Sequence, residues 1–172
     1  GFSAAPFASA VAQACGVLIL MLPDSVIVDS LLWDGESALA SHLAQGTVLI
    51  DMGSSDPVHT RANHARLAAL DVALVDAPVS GGRKRAVEGS LSIMIGGDKP
   101  AVQQVQPILQ AMGKTLVHVG GAGSGHAVKA LNNYVSAAGL LAVCEALVAA
   151  EKFGIDLHLV NQVFNASTGK NN

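Results

Sequence analysis

The sequence predicts an α/β fold in which a largely parallel sheet is followed by one long helix. The apolar runs at residues 17–22 and 48–50 are continuous, as in strands that are buried on both faces. Helical patterns alternate with such runs, which favours right-handed βαβ units. Residues 124–153 then form one helical stretch, about 45 Å long at the standard rise per residue. A helix of this length indicates a spine that leads into a separate helical domain.

The ends of the elements carry their own signals. Asp24 and Asp56 precede helical patterns and predict N-caps, and Asp156 does the same after Gly154, which predicts the end of the long helix. Pro107 predicts a kink or a break in the helix that contains it. The predicted helices cover residues 6–14, 24–32, 57–70, 100–112 and 124–153, and the predicted strands cover residues 17–22, 48–50, 72–75, 91–95 and 116–119.

Two domains are expected. Residues 1–120 form a partial sheet domain, and residues 121–172 form the long connecting helix and the start of an all-α domain. The helical domain would only just have begun where the sequence stops. We therefore expect the chain to be part of a longer protein at both ends.

Composition and charge exclude several classes of protein. Hydrophobic residues make up 51% and charged residues 13%, which is typical of a globular chain. The net charge is −3 and the basic residues are scattered, so no nucleic-acid partner is expected. The exception is Arg83-Lys84-Arg85, which fits either a solvated loop or a small anion-attracting patch near a site. Without CxxC or HExxH spacing, no metal site is expected.

Two apolar features have an ordinary interpretation. Cys15 and Cys144 each lie in an apolar helical stretch and are predicted to be buried free thiols. Residues 134–150 resemble a membrane span, but they include Glu145 and fall short of the ~20 residues that a bilayer requires. We expect a buried core helix here and no membrane association.

Three segments follow strands, where ligands bind in open α/β sheets. Residues 21–23 and 50–57 offer small or hydroxyl groups to a nucleotide, although each alone also fits an ordinary turn. In the third segment, DAPVSGG at residues 76–82, Ser80 adds a hydroxyl while Gly81 and Gly82 expose backbone N–H groups. This set of donors suits a carboxylate, and it equally suits a glycine turn required only for its geometry.

The long helix carries a polar group among apolar neighbours. Asn132 and Asn133 follow Lys129 by three and four residues, so all three share one helical face. Such a set is costly on an apolar helix unless it is paired or functional, which favours a catalytic site over an exposed end turn. His126 is predicted to be a helix-start histidine with an ordinary hydrogen bond.

Taken in this order, the segments resemble the 3-hydroxyisobutyrate dehydrogenase family of β-hydroxyacid dehydrogenases across essentially the whole chain. Residues 76–82 match the substrate-binding segment of that family residue for residue, and residues 125–133 match its catalytic GxxxKxxNN segment. The resemblance implies a Rossmann-type parallel sheet, here without its first βαβ unit, joined by a long helix to an all-α domain.

The resemblance also implies a role for each candidate site residue. Lys129 would be the catalytic acid and base, the substrate would bind to Ser80, Gly81, Gly82, Asn132 and Asn133, and NAD or NADP would bind beside Leu22, Pro23 and Ser54.

The sequence departs from the family in three places. The glycine-rich phosphate loop is expected to precede residue 1, so the fragment alone is not expected to bind a dinucleotide in the family's manner. The usual Ser-Thr of the ribose-side segment is Gly53-Ser54. Ser136 occupies the place where the related 6-phosphogluconate dehydrogenases carry a glutamate, which argues against decarboxylation.

The sequence therefore predicts an oxidoreductase that transfers a hydride between NAD(P) and a small β-hydroxy acid or its semialdehyde, of 3-hydroxyisobutyrate, tartronate semialdehyde or threonate type. The resemblance implies a cytoplasmic homo-oligomer, a dimer or tetramer. Two alternatives are a non-catalytic module of the same fold and an imine or glyoxylate-type reductase.

Overall fold

A computed structural model describes residues 3–169 of the chain. Residues 1–2 and 170–172, the outer ends of the two predicted domains, lie outside the described part. The strands are β1 (Val17–Leu20), β2 (Val48–Asp51), β3 (Ala73–Asp76), β4 (Val79–Ser80), β5 (Leu91–Gly96) and β6 (Gly113–Gly120). The α-helices are α1 (Ala8–Ala14), α2 (Ser25–Trp33), α3 (Pro57–Ala68), α4 (Gly82–Val87), α5 (Lys99–Met112), α6 (Ser124–Lys152) and α7 (Leu157–Ala166), and a short 3₁₀ helix spans Leu39–His42.

The six strands form one mixed sheet that is mostly parallel. Strands β1, β2 and β3 pair in parallel, and β5 pairs in parallel with β6. Strand β5 runs antiparallel to β3, which it meets at the pair Asp76–Gly96, and antiparallel to β4. The carboxyl ends of β1, β2 and β3 therefore meet at one edge of the sheet.

Two hydrophobic clusters cover the two faces of the sheet. Along β2, Val48 and Ile50 belong to one cluster and Leu49 to the other, as the alternation of side chains in a strand requires. Helix α5 packs on the first face, and helices α1, α2 and α3 pack on the second. All four residues of β2 are buried, which confirms the interpretation of residues 48–50. In β1, Ile19 is 43% exposed, so the interpretation of residues 17–22 as buried on both faces is wrong at that residue.

Most predicted element ends are confirmed. Asp24, Asp56 and Asp156 accept hydrogen bonds from backbone N–H groups as N-caps of α2, α3 and α7. Gly154, with φ +80°, follows the end of α6. Helix α5 continues through Pro107, so of the two predicted outcomes the break is wrong and the kink stays a prediction. Three elements were not predicted: the 3₁₀ helix at Leu39–His42, the two-residue strand β4 and the helix α4.

The chain divides into two compact units, Gly1–Lys129 and Ala130–Asn172. Within α6, only Gly125 and His126 are buried, so the prediction of a buried core helix over residues 134–150 is wrong for this chain. By length and hydropathy alone, α6 meets the criterion for a helix that could cross a membrane, which core helices of soluble proteins also meet. Cys15 and Cys144 are both exposed, again contrary to prediction.

A polar network joins α2 to α3. The Asp29 carboxylate accepts a hydrogen bond from Asn63 Nδ2 at 2.6 Å and pairs with His59 Nδ1 at 2.5 Å. Asn63 Oδ1 accepts a hydrogen bond from Trp33 Nε1 at 2.8 Å, and the Arg66 guanidinium stacks 3.6 Å from the Trp33 ring centroid. The hydrogen bond to Asp29 and its negative charge raise the pKa of His59 above the ordinary value of 6.5.

This pairing predicts a pH-dependent contribution to stability. Because the pKa of His59 is raised in the folded state, the stabilisation is fully present below its unfolded pKa of about 6.5 and is lost as pH rises through the folded pKa. We expect the difference in denaturation midpoint between wild type and His59→Gln to be largest near pH 5.5. A double-mutant cycle with Asp29→Asn isolates the pair. An equal difference at pH 5.5 and pH 8.5 would contradict the prediction.

Candidate functional site

Two buried aspartates lie at the carboxyl edge of the sheet. Asp51 ends β2 and Asp76 ends β3, and the two residues are directly paired in the parallel register. Only 2% of Asp51 and 0% of Asp76 is exposed. Carboxylates at such depth require hydrogen bonds to offset the loss of water. Their partners identify the loops that these residues organise.

Asp51 organises the loop after β2. Its Oδ1 accepts a hydrogen bond from the Gly53 N–H at 2.9 Å, and its Oδ2 accepts one from the Ser55 hydroxyl at 2.7 Å. A Cβ atom at Gly53 would lie 2.6 Å from the Leu22 carbonyl oxygen, so the loops after β1 and β2 touch there. This approach gives a physical reason for Gly53 where the resembling family usually has serine.

The structure thus brings the predicted cofactor-side residues onto neighbouring loops. Leu22 is half-buried, and Pro23 and Ser54 are exposed. All three follow the carboxyl ends of the adjacent parallel strands β1 and β2, where nucleotides bind in open α/β sheets. The three predicted cofactor-side residues therefore lie at one edge of the sheet, and Ser54 is exposed there.

The predicted substrate segment begins at Asp76 and differs from a simple loop. Val79 and Ser80 form β4, in which Ser80 pairs with Ser92 of β5. Gly81 and Gly82 have φ values of +132° and +62°, which residues other than glycine rarely adopt. Helix α4 then starts at Gly82. The glycine pair therefore allows a sharp change from strand to helix directly after the Ser80 hydroxyl.

Asp76 also holds the start of α6. Its Oδ1 accepts a hydrogen bond from the Gly123 N–H at 2.8 Å, and its Oδ2 accepts one from the His126 N–H at 2.9 Å. Glycine permits close contact on both sides, because a Cβ at Gly125 would lie 2.5 Å from the Met94 carbonyl oxygen and one at Gly96 would lie 2.7 Å from the Gly125 nitrogen. The substrate segment and the helix that carries Lys129 are therefore joined at one carboxylate.

His126 is part of this buried junction. The Thr60 hydroxyl donates to the Asp56 carbonyl at 3.0 Å, so its oxygen can accept a hydrogen bond from His126 Nδ1, which lies 2.8 Å away. His126 Nε2 is 3.8 Å from Asp51 Oδ2 and has no hydrogen-bond partner within residues 3–169. The prediction of a helix-start histidine with an ordinary hydrogen bond is confirmed.

Lys129 is half-buried in α6, one turn after Gly125. The contact between Gly125 and Met94 lies two residues along β5 from Ser92, the partner of Ser80. At about 1.5 Å per helix residue, Lys129 lies roughly 6 Å along α6 from that contact. Ser92 lies roughly 7 Å along β5 from it, and Ser80 is about 5 Å further away on the neighbouring strand. Asn132 and Asn133 follow in the same helix, are exposed, and belong to the second compact unit.

Comparison with known proteins places this arrangement in a family. Residues 1–120 match the family model described as the NAD binding domain of 6-phosphogluconate dehydrogenase. Residues 123–172 match the model described as the NAD-binding domain of NADP-dependent 3-hydroxyisobutyrate dehydrogenase. The chain belongs to the β-hydroxyacid dehydrogenase family of 3-hydroxyisobutyrate dehydrogenase. The sequence resemblance and the α/β fold with its long helix are thereby confirmed.

Individual members of the β-hydroxyacid dehydrogenase family are similar over nearly the whole chain. An NAD-dependent L-serine dehydrogenase of Pseudomonas aeruginosa is 34% identical over 99% of this chain and 57% of its own length. A 2-(hydroxymethyl)glutarate dehydrogenase of Eubacterium barkeri is 35% identical over 93% of this chain and 53% of its own length. The structure of Mycobacterium tuberculosis 3-hydroxyisobutyrate dehydrogenase with L-serine has a TM-score of 0.86 and 31% identity, covering 95% of this chain and 55% of that one. The chain thus spans just over half the length of these β-hydroxyacid dehydrogenases.

The sequence analysis placed Asp51 and Asp76 only within the segments that follow two strands, and it missed the hydrogen bonds by which they hold other loops. A signal was present, because the runs VLID and ALVD each place one acid after three apolar residues of a buried strand. An acid in that position is buried unless the strand ends early, and a buried acid must have donors. Which donors it has depends on the loops that cross the sheet edge.

Proposed function

We propose that the full-length protein transfers a hydride between NAD or NADP and a small β-hydroxy acid or its semialdehyde, of 3-hydroxyisobutyrate, tartronate semialdehyde or threonate type. The observation that carries this proposal is the double hydrogen bond of Asp76. That carboxylate ends the strand from which the substrate segment leaves, and it holds the first turn of the helix on which Lys129 lies. The substrate-binding segment after β3 and the start of the helix that carries Lys129 are thus held together, and this arrangement suits acid–base chemistry on a small molecule.

The substrate carboxylate would bind to residues 80–82, which we call the carboxylate cradle. Ser80 offers a hydroxyl, and Gly81 and Gly82 offer backbone N–H groups. Neither glycine has a Cβ atom that would shield its N–H group from a ligand. Asn132 and Asn133 would also bind the substrate, because they follow Lys129 in the same helix.

Lys129 would act as general acid and base. When the hydroxy acid is oxidised, Lys129 acts as a neutral amine whose Nζ takes the hydroxyl proton, and in the reverse direction the resulting ammonium returns that proton to the carbonyl oxygen. Its positive charge also stabilises negative charge that develops on the same oxygen. Both functions require Lys129 Nζ to reach the oxygen while the cradle holds the carboxylate, whose carbon is three bonds from that oxygen in a β-hydroxy acid.

The nicotinamide, when bound, supplies the site that accepts or donates the hydride. Leu22, Pro23 and Ser54 would line its ring and ribose side. The close contact of Gly53 with the Leu22 carbonyl supports this assignment, because the two loops form one continuous surface at the sheet edge. Both family models describe NAD binding, so the nucleotide would be NAD or NADP.

We further propose the domain boundary predicted from the sequence, with a partial Rossmann-type domain at residues 1–120 and the long helix and start of the all-α domain at residues 121–172. The full-length protein would be a cytoplasmic homo-oligomer without a nucleic-acid or membrane partner. Large exposed hydrophobic residues in the second unit support the oligomer, since soluble proteins rarely leave such surface uncovered. They include Leu131, Tyr134, Leu140, Leu141 and Phe153.

Turnover measurements with the full-length protein test this function. We expect reduction of NAD or NADP with at least one of 3-hydroxyisobutyrate, L-serine and L-threonate, or oxidation of the reduced cofactor with tartronate semialdehyde. Cyclic imines and glyoxylate belong in the same panel, because turnover of these alone would favour the imine or glyoxylate-type reductase. Cofactor binding without turnover of any compound would favour the non-catalytic module.

A further inference from the structure

Three consecutive cations follow directly on the carboxylate cradle. Arg83, Lys84 and Arg85 lie in helix α4, and all three are exposed. Within the described range 3–169, no carboxylate lies within ion-pair distance of any of them. Their positive charge is therefore not neutralised by a neighbouring acid, in contrast to the paired His59 on α3.

One of the three cations, Arg85, is packed onto the cradle. A Cβ atom at Gly81 would lie 2.5 Å from Cδ and 2.7 Å from Cβ of Arg85. The aliphatic part of Arg85 thus covers the first glycine of the cradle, so residue 81 must be glycine for its neighbour as well as for its φ of +132°. The Arg85 guanidinium consequently begins one bond beyond atoms that touch the cradle.

The charge near the cradle exceeds what a monocarboxylate requires. The cradle already offers a hydroxyl and backbone N–H groups to one carboxylate, and Lys129 is the cation proposed for the reacting oxygen. A monoanion whose single carboxylate is held by the cradle leaves the three further positive charges of α4 without a partner, whereas the second carboxylate of a dianion can pair with them. Guanidinium groups in particular suit carboxylates, because their N–H groups match both oxygens.

We propose that Arg83, Lys84 and Arg85 select hydroxy acids that carry a second carboxylate. This inference rests on the proposed function, because it takes residues 80–82 as the site of the first carboxylate. The second carboxylate binds beside these three side chains of α4, while the hydroxyl-bearing end of the substrate lies next to Lys129. The three residues are specificity determinants and take no part in proton or hydride transfer.

Three substrates with the same reacting end test the proposal on the full-length enzyme. Each has a hydroxymethyl group beside a carboxylate, and the third substituent is methyl in 3-hydroxyisobutyrate, propyl in 2-(hydroxymethyl)pentanoate and carboxyethyl in 2-(hydroxymethyl)glutarate. We expect the highest kcat/KM for the glutarate. The pentanoate has an arm of the same length without charge, so it separates the effect of charge from the effect of size.

Removing the charges should affect only the dianion. The triple variant R83Q/K84Q/R85Q should lower kcat/KM for the glutarate about 10- to 100-fold, mainly through KM, at roughly two- to fivefold per exposed charge. Glutamine retains Cβ, Cγ and Cδ, so the contact of residue 85 with Gly81 is kept. The pentanoate should change by less than about threefold. Raising the salt concentration to about 0.5 M should weaken glutarate use by wild type more than by the triple variant.

Matched controls and outcomes make the test decisive. Lys99→Gln and Lys114→Gln remove exposed cations from other elements and should leave all three substrates unchanged. If wild type uses the pentanoate as well as the glutarate, or if the triple variant lowers both equally, the inference is overturned while the proposed function stands. If none of the three substrates nor any other hydroxy acid or semialdehyde is turned over with NAD or NADP, the proposed function fails and the inference with it.

Discussion

Replacement of Lys129 by alanine should lower kcat of the full-length protein by at least ~10²-fold, the range expected when general acid–base catalysis is lost. Lys129→Arg should lose nearly as much, because arginine keeps the charge and does not release its proton in proteins. The comparison separates proton transfer from simple charge stabilisation. Steady-state kinetics with the best substrate of the panel provide the measurement.

Two controls accompany the lysine variants. Lys152→Ala removes an exposed cation from the last turn of the same helix and should leave kcat unchanged. Denaturation midpoints show whether the variants are folded, and we expect them to stay close to wild type because Lys129 is only half-buried. Near wild-type turnover by folded Lys129→Ala would rule out the proposed catalytic role.

Replacement of Asp76 by alanine should cause the largest loss of stability. The change leaves the buried N–H groups of Gly123 and His126 without their acceptor. At about 1–3 kcal/mol for each unsatisfied buried donor, the free energy of unfolding should fall by about 2–6 kcal/mol. Asp76→Asn keeps one acceptor oxygen and should lose roughly half as much. Urea denaturation of the full-length protein measures both values.

Asp24→Ala is the matched comparison for this effect. It also removes a carboxylate that accepts a backbone hydrogen bond, from Ile27, but the bond is exposed at the start of α2. The loss for such a cap is about 1 kcal/mol. If Asp76→Ala were no more destabilising than Asp24→Ala, the Asp76 junction would not be the anchor that we describe.

The strands and the helix ends could be predicted because their causes are local. The continuous apolar run of β2 is buried on both faces, and an aspartate before a helical pattern supplies its own cap. The two-residue strand β4 has no such local cause, since its hydrogen bonds depend on β5 lying beside it. The direction of β5 is likewise decided by how the chain turns after Asp76.

The sequence motifs of the candidate site could be predicted, but the long-range hydrogen bonds that hold these motifs in place could not. Ser80 and Lys129 stand in short patterns that the family shares, so the sequence marks both. The role of Asp76 depends on N–H groups 47 and 50 residues away, and no short pattern records such a separation. Helix α4 was missed because consecutive charges in GRKRAV hide the spacing by which an amphipathic helix is recognised.

Because the Asp76 carboxylate anchors both the substrate segment and the start of α6, some positions of the site must be preserved while others can be substituted. Residues 83–85 face water and leave the Asp76 junction untouched, so substitutions there can alter substrate preference at little risk to folding. Position 76 offers no such freedom. Natural or engineered changes of substrate preference are therefore expected at residues 83–85, while Asp76 is kept.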